Sequence, residues 1–521
     1  MSVQSCPAAV GDATAEELLE RVRGVVPAAL AAARSATGFG GRWKAIAARL
    51  ERSVAATLAE AAELGERCRE PQKAGKLDLN LRDCSLLVKT GVLSDATVPA
   101  GAPAEAGAAA AAQQTDVREL LARLQIGHAE AKHRAVDGLL DALHEDEKSV
   151  LSALGRGNVA ALVQLLTATA PKVREKAATV ICLLAESGSC EGLLMSEGAL
   201  PPLIRLAESG SLVGREKAVI TLQRLSMSPD VARAIVGHSG VRPLIDICQT
   251  GDSISQSAAA GALKNLSAVP EVRQALAEEG VVRVMINLLD SGVVLGSKEY
   301  AAECLQNLTS SNDNLRRAVV AEGGQRSLLA YIDGPLPQES PVAALRNLVT
   351  AVSPDSLVSL CVLPRLVHVL RDGSVGAQQA AAATICKISS SMDMKRLVGE
   401  HGCIPLLVRL LEAKSSAARE AAAQAVVSLM SYPPNARDIK KYEKSVPNLV
   451  QLLDPSPHNT AKYAISCLLS LSASKRCKKL MISHGAIGYL KKLTEKDVAG
   501  AKKLLEKLER GKLRNLFSTR K

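Results

Sequence analysis

A segment of about forty-one residues recurs along most of this 521-residue chain, and a period of that length points to a stacked array of supersecondary units. Each copy opens on a small residue followed by an apolar cluster. The first copies read Gly157-Asn-Val-Ala-Ala-Leu-Val-Gln-Leu-Leu, Gly198-Ala-Leu-Pro-Pro-Leu-Ile-Arg-Leu, Gly240-Val-Arg-Pro-Leu-Ile-Asp-Ile and Gly280-Val-Val-Arg-Val-Met-Ile-Asn-Leu-Leu. The same slot falls at Gly323, Cys361, Gly402, Lys444 and Gly485, with successive spacings of 41, 42, 40, 43, 38, 41, 42 and 41. About 17 residues after each anchor a second, Ala-rich helix is expected, as in Ala259-Ala-Gly-Ala-Leu-Lys-Asn-Leu-Ser267 and Ala301-Ala-Glu-Cys-Leu-Gln-Asn-Leu-Thr309. Ala at buried positions lets helix axes approach closely, and Leu fills the gaps between them. One such unit cannot bury its apolar face alone, whereas a stack of about ten gives a continuous core.

The pattern Gly-x-(Ile/Leu/Val)-Pro-x-Leu-(Ile/Val)-x-Leu-Leu followed by Ala-Ala-x-x-Leu-x-Asn-Leu resembles the armadillo repeat. The Leu-x-Asn-Leu endings favour it over HEAT repeats. The resemblance covers residues 115–521 and implies an all-α fold: a right-handed α-solenoid of about ten repeats. Unit six departs from the pattern, because Pro335, Pro337 and Pro341 fall within seven residues and the next spacing shrinks to 38. A kink or altered twist is expected there.

Residues 1–95 lie outside the repeat and are expected to form a small helical domain. Thr14-x-x-Glu17 has the form of a capping box. Trp43, Ile46, Leu50, Val54, Leu58, Leu64 and Cys68 share one helical face. Residues 96–114, rich in Ala, Gly and Pro, read as a linker. The head, with its Leu-Arg-Asp-Cys-Ser-Leu-Leu-Val-Lys-Thr-Gly-Val-Leu93 segment, resembles the helical N-terminal domain of a plant armadillo family, a domain without assigned biochemistry. The end of the chain, Gly500-Ala-Lys-Lys-Leu-Leu-Glu-Lys-Leu-Glu-Arg-Gly-Lys-Leu-Arg-Asn-Leu-Phe517, resembles the same family. Plant U-box ligases share this layout but insert a U-box between head and repeats. The linker here is too short for one, so the resemblance implies no intrinsic ligase activity.

Charge and composition narrow the function. Residues 475–521 carry 15 Lys/Arg against 4 Asp/Glu, which accounts for the whole net charge of +11. The basicity therefore belongs to the C-terminal end. The helix over Val498–Arg510 places Val498, Ala501, Leu504, Leu505 and Leu508 on one face and is expected to cap the stack. Lys512, Arg514, Arg520 and Lys521, beside Leu513, Leu516 and Phe517, suit contact with an anionic membrane surface. The 2 Phe, 6 Tyr and 1 Trp are too few for a base-stacking platform, which argues against nucleic acid. The twelve cysteines contain no CxxC, and Cys182, Cys304, Cys386 and Cys467 read as reduced core residues of a cytoplasmic or nuclear protein. No signal-peptide pattern opens the chain, and no apolar run approaches the ~20 residues of a membrane span.

No catalytic, metal or cofactor constellation survives comparison with the repeat. His128, His133 and His144 do not converge on one ion, since the last two are about 16 Å apart along a helix. His238, His401 and His484 occupy one repeat position in different units, so they cannot form a triad. Lys475-Arg-Cys-Lys-Lys479 falls on a short first helix, where a solvated face competes with an import signal. A non-enzymatic reading follows.

The repeats instead present a ladder. The Asn of Leu-x-Asn-Leu, which armadillo proteins place along a concave groove, defines an index position. Here it is occupied by Asp141, Leu183, Arg224, Asn265, Asn307, Asn347, Lys387, Ser428 and Ser470. Nuclear-import armadillo proteins keep Trp four residues earlier. This chain has Asp137, Thr179, Ile220, Gly261, Glu303, Ala343, Ala383, Gln424 and Ser466 there, so Trp–Asn clamping of an import signal is not expected. Arg224, Asn265, Asn307, Asn347, Lys387 and Ser428 are the candidate contacts to an extended, acidic or mixed-charge segment of a partner protein. The alternative for the Asn residues is that they brace the helix ends. Replacing the three by Ala is expected to spare folding if they only line a groove. The chain thus reads as a protein-binding adaptor. A membrane-surface scaffold and a ubiquitin-pathway substrate adaptor are the competing readings.

Overall fold

The computed structural model describes residues 117–125, 129–334, 337–454 and 460–518, with side chains up to residue 509. The expected head over 1–95 and linker over 96–114 lie outside the described residues. Among the described residues every regular element is a helix. The chain divides into two compact units, Met1–Pro202 and Leu203–Lys521. In the first, helix Ala129–Glu145 packs on Pro171–Glu186, and Lys176 Nζ meets the Asp137 carboxylate at 2.5 Å.

In the second unit a three-helix module repeats: a short first helix, a second helix and a longer third. The module Pro229–Gly237, Val241–Thr250 and Ser253–Ala268 is followed by one ending in Leu295–Thr309. Third helices pack chiefly on third helices of adjacent modules, as Ser253–Ala268 does on Leu295–Thr309 and Val375–Ile388 on Ser416–Met430. Their contact faces are built from buried Ala258, Ala259, Ala262, Ala301, Ala302, Ala380, Ala381, Ala421 and Ala422. Small side chains bring the axes together, and Leu263, Leu266, Leu305 and Leu308 fill the remaining space. Several third helices begin on side-chain caps: Ser211 Oγ accepts from Gly214 N, Asp252 Oδ1 from Ser255 N and Ser374 Oγ from Ala377 N.

The anchor of the sequence repeat is the turn between first and second helices, where one residue takes a left-handed conformation. Gly198, Gly280, Gly323, Gly402 and Gly485 have φ between 70° and 89° there. Two non-glycine residues do the same: Ser239 at φ 58° and Cys361 at φ 51°. Ser239 moves the anchor by one residue from the sequence assignment at Gly240, so the spacings on either side become 41 and 41 rather than 42 and 40. Lys444 departs from the rule, with φ −77°, because the preceding helix ends on extended Tyr442.

The prolines of unit six act differently from the expected kink. Pro341 is the third residue of helix Glu339–Leu348, where its missing N–H removes no intrahelical bond. The Pro337 carbonyl accepts from Ser374 N at 3.3 Å. The helix starts late and has 10 residues, against 15 for Leu295–Thr309. At the C-terminal end, helix Ala501–Ser518 packs on Ala486–Glu495 and Thr460–Leu471, burying Ala501, Leu504 and Leu508, while Lys502, Lys503 and Lys507 stay exposed.

Three outcomes are expected. No atom lies within 4 Å of a Cβ built on Gly280 or Gly402, so Gly280→Ala or Gly402→Ala carries a backbone cost alone, about 1–2 kcal/mol in urea denaturation. Cys361→Gly, at an exposed side chain, should raise stability by up to about 1 kcal/mol. A chain ending at residue 497 should melt at lower temperature and bind an apolar dye, because the faces covered by Leu504 and Leu508 become open. An unchanged melt would remove the capping role from this helix.

Candidate partner-binding face

The index residues are tied into the stack. Asn265 Nδ2 donates to Gln223 O at 3.0 Å and to Ser226 Oγ at 3.0 Å. Asn307 Nδ2 donates to Lys264 O at 3.5 Å and Ser267 Oγ at 3.1 Å. Asn347 Nδ2 donates to Gln306 O at 3.2 Å and Thr309 Oγ1 at 3.2 Å. The hydroxyls in turn donate to the same carbonyls: Ser226 Oγ to Gln223 O at 2.7 Å, Ser267 Oγ to Lys264 O at 2.7 Å and Thr309 Oγ1 to Gln306 O at 3.2 Å. Each Asn thus closes a triangle on the C-terminal end of the preceding third helix, where carbonyls lack intrahelical partners. Lys387 Nζ and Ser428 Oγ extend the row, donating to Arg346 O at 3.3 Å and Ser389 O at 3.2 Å.

This arrangement makes the bracing role of the Asn residues physical, and their amide oxygens remain the acceptors a ligand could use. Asn347 is only 6% exposed, whereas Asn265 and Asn307 are half-buried and Arg224 and Lys387 are exposed. The third-helix face therefore offers an Asn centre with a cation at each end.

The residues beside this row were not singled out by the sequence argument. One position before the index, Lys264 Nζ lies 3.4 Å from Glu303 Oε2 and 5.5 Å from the centre of the Tyr300 ring. The equivalent residue in unit six, Arg346, is half-buried. Lys387 is held below the usual lysine range, first by desolvation and then by the charges of Arg346 and Arg316. At the other end of the third helices, Leu212, Ile254, Leu295 and Val375 are 80%, 57%, 71% and 53% exposed. They recur at 42, 41 and 80 residues, one or two repeats apart, and that register was the signal that could have found them. Apolar side chains repeated on an open edge mark an interaction surface more often than isolated ones do.

The remaining candidates separate. His238, His401 and His484 each cap the end of a first helix, and His401 Nδ1 lies 2.8 Å from Leu397 O. His133 and His144 lie on Ala129–Glu145, and His128 lies outside the described residues. Lys475–Lys479 begins the first helix Lys475–Ser483, with Cys477 buried and Lys475 and Arg476 exposed. Cys182, Cys304 and Cys467 are buried, but Cys386 is half-buried on the open face. Burial pushes the Cys304 thiol up to about 12, which suits a core residue and not a nucleophile. Lys512 and Arg514 belong to helix Ala501–Ser518, while Arg520 and Lys521 lie outside the described residues.

Because it leaves a buried carbonyl and hydroxyl without their donor, Asn347→Ala should destabilise the protein by about 1–3 kcal/mol in urea titration. Asn265→Ala and Ser226→Ala should be less than additive in combination, since each removes part of the same triangle. Strict additivity would mean that the Asn bonds do not brace the stack.

Comparison with known proteins agrees with this geometry. The family model described as "Armadillo/beta-catenin-like repeat" matches residues 228–268 and 391–431. Each match runs from the start of a first helix to the end of the third. A 156-residue stretch is 31% identical to "U-box domain-containing protein 8" of Arabidopsis thaliana, covering 29% of this chain and 41% of that protein. The chain therefore spans about two fifths of the length of that curated relative. A solved structure titled "Crystal Structure of Engineered Protein" superposes with a TM-score of 0.65 at 24% identity, over 76% of this chain and 98% of that one, a likeness of fold alone. Repeat register, three-helix modules and the two family-model matches together show armadillo repeats in this chain, with a partial likeness to a plant U-box protein.

Proposed function

We propose that the chain is a protein-interaction scaffold whose third-helix face in the second unit holds an extended segment of a partner protein. The observation that carries this reading is the repetition of chemistry along that face. An apolar edge from Leu212 to Val375, at the starts of the third helices, parallels a polar row from Arg224 to Ser428 near their ends. Adjacent helix axes lie ~10 Å apart, so five repeats match a strand of roughly a dozen residues. Arg224 and Lys387 supply charge at the ends, Asn265 and Asn307 supply amide acceptors, Asn347 holds the row in register, and Ser428 extends it.

Two further readings rest on narrower support. The exposed Lys502, Lys503 and Lys507, continued by Lys512, Arg514, Arg520 and Lys521, suit an anionic membrane surface. The relative named for a U-box supports work in a ubiquitin pathway as a substrate adaptor.

Affinity purification with tagged full-length protein should recover partners that Leu212→Ser/Ile254→Ser/Leu295→Ser loses, since these exposed side chains do not hold the fold. Retention should fall at least about tenfold, given the ~1.5 kcal/mol or more that each buried aliphatic contributes. An identical set of partners on both proteins would overturn the third-helix face as the binding surface. The same preparations mixed with anionic vesicles read the second possibility: sedimentation at low salt that is lost when the four C-terminal cations are neutralised supports a membrane contact.

A further inference from the structure

Some cations on the third-helix face are answered by acids from the protein itself. Lys217 lies 2.7 Å from Glu216, and Lys264 lies 3.4 Å from Glu303 of the following module. The second pairing has a fixed register: the residue before one index position meets the residue four before the next. In the module ending with Glu339–Leu348 the first of these positions is Arg346. Its counterpart in the following module is Ala383, so the carboxylate is missing. Lys387 instead comes close, with Nζ 3.3 Å from the Arg346 carbonyl. Among the described residues neither Arg346 nor Lys387 forms an ion pair. A third cation, Arg316, lies near enough to repel Lys387, but it is already paired with Asp313 and bonded to Thr309 O and Ser310 O.

Two positive charges from adjacent modules thus share a half-open surface with no carboxylate paired to either among the described residues, Lys387 keeping only its bond to the Arg346 carbonyl. Like charges at such range raise the free energy of the unliganded protein, and a bound anion relieves it. One carboxylate would neutralise one of the two. A phosphoryl group carries about −1.5 to −2 charges and three acceptor oxygens, enough for a guanidinium fork and an ammonium together. We propose that Arg346 and Lys387 form a subsite for a phosphorylated side chain on an extended partner segment. This rests on the third-helix face being the binding surface. It adds a regulatory property: binding would respond to modification of the partner. Ala383, half-buried, stands where Glu303 stands two modules earlier, so no acidic side chain of the protein occupies that position.

The test uses full-length protein and three pools of degenerate dodecamer peptides with a fixed central residue: phosphoserine, glutamate or serine. Wild type should retain the phosphoserine pool about tenfold over the serine pool, with glutamate between them. Arg346→Ala/Lys387→Ala should hold the phosphoserine pool no better than the serine pool, the two pools being compared on the same variant because Lys387 also serves the binding face and bonds Arg346 O. Arg346→Ala alone, which removes no index residue, should lower the phosphoserine-to-serine ratio while the serine pool is held as by wild type. Lys387→Arg should keep the preference. Equal retention of the phosphoserine and serine pools by wild type overturns the subsite and leaves the binding face intact. A preference that survives in the double variant also overturns it, and assigns the anion to other cations such as those of the C-terminal end. Retention of no pool by wild type overturns the binding face, and the subsite with it.

Discussion

Every helix in a stack of short helices ends with carbonyl groups that no residue of its own can satisfy, and the way this chain satisfies them governs much of its surface. Third helices are closed by the index residue of the next module, from Asn265 on Gln223 O to Ser428 on Ser389 O. Second helices are closed by a long polar side chain in the first turns of the third helix. Arg215 Nε reaches Ala207 O, Gln256 Nε2 reaches Cys248 O and Arg419 Nη1 reaches Ala413 O. First helices contribute the same service to the third helix before them, through Arg273 on Ser267 O and Arg316 on Thr309 O. Many of the arginines are therefore structural, bonding the negative ends of helix dipoles.

The close approach that makes these bonds possible comes from alanine. With Ala301 and Ala302 against Ala259 and Ala262, the third helices lie near enough for an Asn side chain to cross from one to the next. The same proximity makes the face a single surface rather than a set of separate ridges. Packing, bracing and the display of exposed polar groups are thus carried by one helix per module. A change at an index position acts on stability and on the face together. The exposed aliphatic edge and the Arg346 side chain sit outside that coupling, so they can vary without disturbing the stack.

Much of this was legible in the residues. The period placed the modules, and the Ala-Ala-x-x-Leu-x-Asn-Leu pattern identified both the third helix and its index position. Two details of the turns were not. Ser239 and Cys361 take a conformation that favours glycine, so a rule written on glycine placed one anchor a residue late. The prolines of unit six read as a kink, yet the two described ones, Pro337 and Pro341, fall before and within the first turn of a helix that starts late instead. Both corrections turn on backbone angles that residue identity biases without fixing.

The sequence by itself determined the helical class, the length and register of the module, and which face of each helix is apolar. These follow from side-chain size and spacing along one chain. Only the tertiary structure decided what the index asparagines do, because their partners lie 38 to 43 residues away and a hydrogen bond depends on distance and angle between modules. It likewise decided that Lys264 is answered by Glu303 while neither Arg346 nor Lys387 is paired with an acid among the described residues. Charge can be counted from a sequence, but compensation is a property of neighbours in space.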